Sequence, residues 1–306
     1  MNAVTQLSLD VVIVPLVGGE ALARCLAALR QCENNALRRT IVVTSTPGEE
    51  ARSRWTPEYD HVEFVGATHD NVPSRRLQGV AAADADVVAL LEDTSWPQPG
   101  WAGAALAAFT DRDVVAAGGS VRVSPALPAR YRALGYMEYA AFGPEAKLSL
   151  SATGSVDRVP GNNMAFRRER LLEILSEARF GLFEHDVVAR LCASNGKVVA
   201  RAGMAVCYGA IDRHGARLST RFGHGRIYAA ERLSTASVVG RLSYLAKTVL
   251  LPPILTWRAM RGAAHATPRR WLAPEVGWIA LMATAWSVGE AAGAVLGGAG
   301  SIETWR

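Results

Sequence analysis

The run Asp86-Val-Val-Ala-Leu-Leu is the most apolar strand-like stretch in the chain, and it passes without a spacer into Glu92-Asp93-Thr94. An unbroken apolar run of this length reads as a buried strand with a polar tip at its carboxyl end. Its neighbours support that reading. Residues 9–14 (LDVVIV) form a second such run that stops at Pro15, Gly18 and Gly19, after which Leu22, Cys25, Leu26 and Leu29 recur at helical spacing. Ile41-Val42-Val43 is a further strand closed by Thr46-Pro47-Gly48, and Val62, Phe64 and Val65 mark another. Helices are expected over Ser74–Ala83, with Leu77 and Val80 inward, and over Pro97–Phe109, with Pro97 and Pro99 at its start. Val114–Val123 is again a strand. This β-α-β alternation over the first 125 residues predicts an α/β fold with a mainly parallel, doubly wound sheet. Strands resume over Val156–Phe166, helices over 168–178 and 184–194, and a strand over 197–207, so the completed sheet is expected to be mixed.

The 306 residues suit one large domain with an appendage, and the expected division is 1–235 and 236–306. Half the residues are hydrophobic and a fifth are charged, which excludes a largely disordered chain. The net charge of +5 is unevenly spread: Arg201 to Arg270 holds twelve Lys and Arg against Asp212 and Glu231 alone. A basic stretch beside apolar segments reads as a membrane-surface footprint, and without a basic helix or stacking aromatics no nucleic acid partner is expected. Four scattered cysteines without CxxC or zinc spacing suggest a reducing compartment, and the start MNAVTQLSLD lacks signal-peptide character. A catalytic part on the cytoplasmic face of a cytoplasmic membrane is therefore expected.

The tail carries the membrane expectation. Residues 276–300 contain one charge, Glu290, and as a helix would span about 37 Å at ~1.5 Å per residue. Glu290 is costly in lipid, so it should face protein, or the segment should lie shallow. Residues 242–257 carry Lys247 and Pro252-Pro253 and suit an interfacial or re-entrant element. Arg258, Arg261, Arg269 and Arg270 form the positive loop between them. The alternative is that both segments are helices buried in a dimer interface; the sequence sets no oligomeric state.

Acids beyond the carboxyl end of a strand in an open α/β sheet can hold a divalent ion that neutralises a departing diphosphate; they can equally solvate the strand end. Glu92, Asp93 and Thr94 stand there. Glu184-His185-Asp186 opens a helix, where acids cap free N–H groups and are favoured by about 0.3–1 kcal/mol. A glutamate collared by Leu182 and Phe183 would have a raised pKa, as a general base needs. Pro160-Gly161-Asn162-Asn163 is a turn whose amides could orient a sugar hydroxyl or serve conformation alone. His224-Gly225-Arg226 with Arg221 is a basic cluster able to meet phosphates or to lie on a surface.

In order and spacing, PSRRLQGVAAADADVVALLEDTSWPQPGW (73–101), VPGNNMAFRRERLL (159–172) and FEHDVVARL (183–191) resemble the family 2 glycosyltransferases, and VVIVPLVGGEALARCLAALRQ (11–31) is similar to that family's first strand and helix. The resemblance covers about residues 9–232. It implies a GT-A fold, a nucleotide-diphosphate sugar donor, a divalent metal (Mn or Mg) and inversion at the anomeric carbon. Carried over by position, Glu92 and Thr94 fall on the two acids of the family's Asp-x-Asp, with Asp93 between them. Arg76 falls on a recurrent arginine, Glu184 on the base, Asp186 on the acid two residues later, and Arg226 near a donor-phosphate arginine. Three positions depart from the pattern. Thr94 replaces an acid, Thr44 and Ser45 stand where an aspartate often meets the base, and Tyr208 stands in place of a histidine. The Gln-x-x-Arg-Trp motif of processive enzymes is absent, which argues for transfer of one sugar.

The implied reaction is a single in-line displacement. Glu184 takes the acceptor proton, a metal on Glu92 and Asp93 with Arg226 meets the diphosphate charge, and Asn162 and Asn163 orient donor or acceptor. A membrane location would favour a lipid-linked or membrane-presented acceptor. Two rivals stand beside it. One is a catalytically impaired sugar-nucleotide-binding relative that assists another enzyme, for which Thr94 and Tyr208 speak. The other is a nucleotidyltransferase, which needs a basic phosphate loop after the first strand; Pro15-Leu16-Val17-Gly18-Gly19-Glu20 has the glycines but no cation.

Overall fold

All six residues of β1 (Leu9–Val14) are buried, Asp10 among five apolar residues, as a strand covered on both sheet faces requires. The computed structural model describes residues 7–32, 37–45, 62–69, 71–144, 155–176, 182, 184–234, 236–266 and 273–297. Thr46-Pro47-Gly48, Phe180-Gly181, Phe183 and Arg269-Arg270 lie outside the described residues. Elements follow in the order β1, α1 (Gly19–Gln31), β2 (Leu37–Thr44), β3 (Val62–Gly66), α2 (Val72–Ala82), β4 (Val87–Glu92), β5 (Ser95–Pro97), α3 (Trp101–Ala108) and β6 (Val114–Val123). Then come α4 (Ala129–Tyr139), β7 (Asn163–Arg167), α5 (Arg168–Leu175), α6 (Glu184–Ala193), β8 (Lys197–Tyr208), α7 (Leu218–Arg232), α8 (Val238–Thr248), α9 (Leu251–Ala266) and α10 (Ala273–Leu296). Contacts divide the chain into two units, Met1–Arg122 with Lys147–Ala210, and Val123–Ala146 with Ile211–Arg306. Residues 123–146 and α7 thus group with the C-terminal helices, where a linear boundary near residue 235 was expected.

The first unit is built on a mixed eight-stranded sheet in the order β3-β2-β1-β4-β7-β6-β8-β5. The first four of these strands are parallel, so Thr44, Val14 and Glu92 end on one edge, with Val14 opposite Glu92. The parallel run does not continue into β6. Instead β7 lies between β4 and β6, antiparallel to both. Its Asn163-Met164-Ala165-Phe166 are all buried, which an outer position would not give. Beyond the expected strands, β5 pairs antiparallel with β8, Ser95 opposite Tyr208. Pro97 therefore closes β5, and the following helix starts only at Trp101, after Gly100 at φ +82°.

The α1 face is the expected one, Leu22, Cys25, Leu26 and Leu29. The α2 helix lies on β1 and β2, and a Cβ on its Gly79 would collide with Val12, so only glycine permits this approach. Val12, Ile41, Val43, Val88 and Leu90 close a core with Val80, Phe166, Leu171 and Val188. Each such side chain contributes about 1.5–3 kcal/mol on full burial. Asp10, the acid inside β1, is buried and accepts from the amides of Asp84 (2.8 Å) and Ala85 (3.1 Å), which fixes the turn into β4.

In the second unit α10 lies along α7 at backbone distance. Cβ atoms on Gly225, Gly289 or Gly293 would meet the backbones of Trp286, Phe222 and Arg226. Glu290 is buried and accepts from Tyr244 Oη and Trp286 Nε1, so it faces protein. Glu275, also buried, accepts from Arg132 Nε at 2.6 Å. The helix ends at Gly297, with φ +72°. By length and composition α10 could cross a membrane, whereas α8 and α9 meet at a bend of 57°. Pro252 and Pro253 occupy the first turn of α9, where their missing N–H groups cost nothing.

Candidate active site

The site begins with what β4 does at its end. Glu92 is its last residue, buried, and Asp93 and Thr94 follow before β5. On α2, Val72, Arg76, Gly79 and Val80 share the buried face. The side chain of Arg76 is therefore delivered inward, and it meets three acceptors. Its Nη2 donates to Glu92 Oε1 (2.8 Å) and to the Gly161 carbonyl (2.8 Å), and its Nη1 donates to Glu184 Oε2 (2.9 Å). Residues from α2, β4, the β7 entry turn and α6 are thus joined by one guanidinium. Gly161 leaves room for it: a Cβ there would lie 3.1 Å from Arg76 Nη2 and from Glu184 Cδ.

The two carboxylates differ in access. The Glu92 side chain is 8% exposed and that of Glu184 34%, so Glu184 is reachable. A raised pKa was expected for Glu184, and the structure corrects this. Burial, with Leu182 beside the helix start, pushes the carboxyl up, but the Arg76 guanidinium and the first-turn backbone of α6 prevail and hold it below the usual glutamate range. Glu184 is a carboxylate at neutral pH.

Asp93 is used differently. Fully buried, it accepts from Leu16 N (2.7 Å), Val17 N (3.2 Å) and Gly18 N (2.6 Å), tying down the loop between β1 and α1. Arg75, buried beside Arg76, donates to the Pro15 carbonyl at 2.8 Å and fixes the same loop. Arg75 was not anticipated. Its signal was the Arg75-Arg76 pair on a helix with an apolar face, where adjacent cations read as solvated.

Asn163 lies inside the sheet. It accepts from Trp101 Nε1 (2.9 Å) and donates to the Ser120 (3.0 Å) and Met204 (2.7 Å) carbonyls, which satisfies both ends of its amide. Asn162 Nδ2 donates to Ser95 Oγ at 2.7 Å. Asn162 Oδ1 and Thr94 Oγ1 are buried and have no hydrogen-bond partner among the described residues. Tyr208 is buried opposite Ser95, and Thr44 and Ser45 stand at the end of β2. Asp186 does not join the cluster: it is 46% exposed and pairs with Arg190 at 3.0 Å, one turn along α6. Arg226 is in the second unit, where its Nε donates to the Gly297 carbonyl at the end of α10 (3.1 Å), a favourable place for a cation. Arg221 there pairs with Glu138 and contacts His224.

In this arrangement the donor set does not fit a divalent ion. Both Asp93 oxygens are on amides, Glu92 Oε1 is on Arg76, and no group of three His, Cys, Asp or Glu able to hold an ion occurs among the described residues.

No protein-family model and no curated protein matches the sequence. Solved structures are similar in fold. The mannosyltransferase PcManGT from Pyrobaculum calidifontis, in complex with GDP-Man and Mn2+, is similar at a TM-score of 0.59 and 14% identity, over 95% of this chain and 88% of that one. GalNAc-T7 with UDP, GalNAc and Mn2+ is similar at a TM-score of 0.55 and 14% identity, over 77% of this chain and 52% of that one, so the match spans about half of that protein. At such identities the likeness is one of fold: this chain is a mixed α/β protein whose fold is similar to that of two glycosyltransferases.

Proposed function

We propose that the first unit is an inverting, GT-A-type glycosyltransferase of the family 2 kind, moving one sugar from a nucleotide-diphosphate donor to an acceptor hydroxyl. The observation that carries this is the Arg76 clamp at the carboxyl edge of a parallel sheet, where it holds an ionised, reachable Glu184. The fold supports it, since both similar structures hold sugar nucleotides or their parts. In the reaction Glu184 accepts the acceptor's proton as the new bond to the anomeric carbon forms. The bond to the diphosphate breaks, and that group leaves with the electron pair. Arg76 fixes the carboxylate's position and charge, and Asp93 with Arg75 holds the β1–α1 loop against the edge where the nucleotide would lie. Asn162 and Thr94 stand just beneath this edge, with a buried acceptor and a buried hydroxyl that have no partner among the described residues. Asn163 belongs to the framework and Arg226 to the second unit's helix packing. Asp186 supports α6 through Arg190.

Mn2+ in both similar structures supports a divalent ion for this fold. The donors of this chain do not fit it as arranged, so no step is assigned to it. The acceptor in this reading is lipid-linked or presented at a membrane, with the first unit on the cytoplasmic face. Thermal-shift measurement with GDP-mannose, UDP-GalNAc and UDP-glucose, each with manganese or with chelator, tests the reading. One donor at a hundredfold its Kd should stabilise by about 2.7 kcal/mol, a shift of several degrees. No shift by any nucleotide or sugar nucleotide would overturn it. A shift with no turnover would favour the impaired, sugar-nucleotide-binding relative, the reading for which the engagement of Glu92 and Asp93 speaks.

A further inference from the structure

The second unit exposes an apolar surface that its own packing does not cover. On α8, Val238, Val239 and Leu242 are 73%, 76% and 61% exposed, and Val249 and Leu250 beyond it 75% and 59%. Val238, Val239 and Leu242 lie on one side of α8, and Val249 follows seven residues after Leu242, two turns on. On α9, Trp257 is 59% exposed, while Ala259 and Ala263 on the other side are buried against Tyr136 and Ile279. Both helices thus leave large apolar side chains exposed next to their cations, Val238, Val239 and Leu242 on α8 and Ile254 and Trp257 on α9. An exposed apolar surface of this kind marks a contact surface.

Its charge says what the contact is. From Leu233 to Pro274 the sequence contains no Asp or Glu, while Arg241, Lys247, Arg258 and Arg261 all lie on α8 and α9. The Arg261 guanidinium sits over the Trp257 ring, 5.3 Å from its centre, an apolar ring capped by a cation. Facing four cations of one sign across a two-fold axis would be repulsive for a second copy of this chain. A surface carrying negative headgroups above hydrocarbon answers both the cations and the apolar side chains.

We propose that α8 and α9 form a monotopic docking surface for anionic lipid, lying in the plane of the membrane. The buried carboxylates of α10 fit this. Glu275 and Glu290 are held by Arg132, Tyr244 and Trp286, and α10 is packed along α7, so α10 serves as the support on which α8 and α9 are laid. The proposal does not depend on the catalytic reading.

The test is co-flotation of the full chain with vesicles of phosphatidylcholine alone or with 30% phosphatidylglycerol, roughly the anionic content that gives such a surface its potential. The chain should float with the anionic vesicles, and each basic residue changed to Gln among Arg241, Lys247, Arg258 and Arg261 should weaken partitioning about fivefold. Leu242→Asp with Trp257→Asp should abolish flotation while circular dichroism and melting stay as in the parent. Light scattering on the same double variant identifies the rival occupant. If the parent is a dimer, the variant a monomer and flotation unchanged, the surface is a contact between copies and the proposal is overturned. Equal flotation with both vesicle types overturns the anionic part. Retention of the double variant in vesicles after alkaline carbonate overturns the monotopic part and makes α10 the anchor.

Discussion

Glu184 in the first unit and Glu290 in the second are held in different ways. In the first, one guanidinium is shared: Arg76 answers Glu92 and Glu184 together, and the second of these is a third exposed. In the second, Glu290 is answered by the neutral donors Tyr244 and Trp286, while Glu275, in the first turn of α10, meets Arg132 of α4. A shared cation leaves a set whose balance changes when a ligand or a proton arrives. A carboxylate held by neutral donors between helices has no such freedom and acts as a strut. The difference separates a carboxylate that a ligand could reach from one that holds shape, although buried acids in an apolar context look alike in sequence.

The comparison breaks first at Glu184. Glu184→Gln keeps shape and removes the base, so turnover should fall by roughly 10²–10⁴ with donor affinity little changed. Near-normal steady-state turnover would remove Glu184 from the chemistry. Arg76→Met strands two carboxylates, for which a loss of about 3–5 kcal/mol is expected in urea unfolding, partly recovered by adding Glu92→Gln. The same change moves the pH dependence. Arg76 holds the Glu184 carboxyl below its ordinary value, so its contribution to stability is present above the unfolded pKa and is lost as pH falls through the folded one. The acid limb of the rate profile should accordingly lie below the usual glutamate range in the parent and rise in Arg76→Met; an unmoved limb would show that another group sets it.

Asp93→Asn replaces a carboxylate that serves three amides by a group with one acceptor oxygen, and about 2–3 kcal/mol of stability should go with it. If melting is unchanged while manganese dependence is altered, Asp93 is a ligand and not a loop anchor. Glu290→Gln should cost only about 1 kcal/mol, since an amide oxygen still accepts from neutral donors. The smallest effect is expected at Asp186→Asn, which removes an exposed pair to Arg190 and should change stability by about 0.5 kcal/mol or less.

What was legible in the sequence was local. Strand runs, the buried face of α1 and the polar end of β4 follow from periodicity within a dozen residues, and the structure places them accordingly. What was not legible depends on partners distant along the chain. Leu182 beside Glu184 pointed to a raised carboxyl, but the residue that decides the matter, Arg76, is 108 positions away. Asp93 reads as one of a pair of acids until the amides of residues 16–18 close on it. Asn163 resembles a surface amide in a Pro-Gly-Asn-Asn turn, yet it enters β7 and is satisfied from α3, β6 and β8. Thr94 and Asn162 stayed where the sequence put them, at the strand edge.

In the proposed reaction Glu184 serves a single displacement at an anomeric carbon on this edge. Proton NMR of the full chain with the donor that stabilises it, GDP-mannose or a UDP-sugar carrying an α-linked sugar, tests it most directly. A single displacement should release nucleoside diphosphate with the first-formed sugar product in the β configuration. A first product with the α configuration, or a stabilising donor left intact with acceptor lipids present, would contradict it.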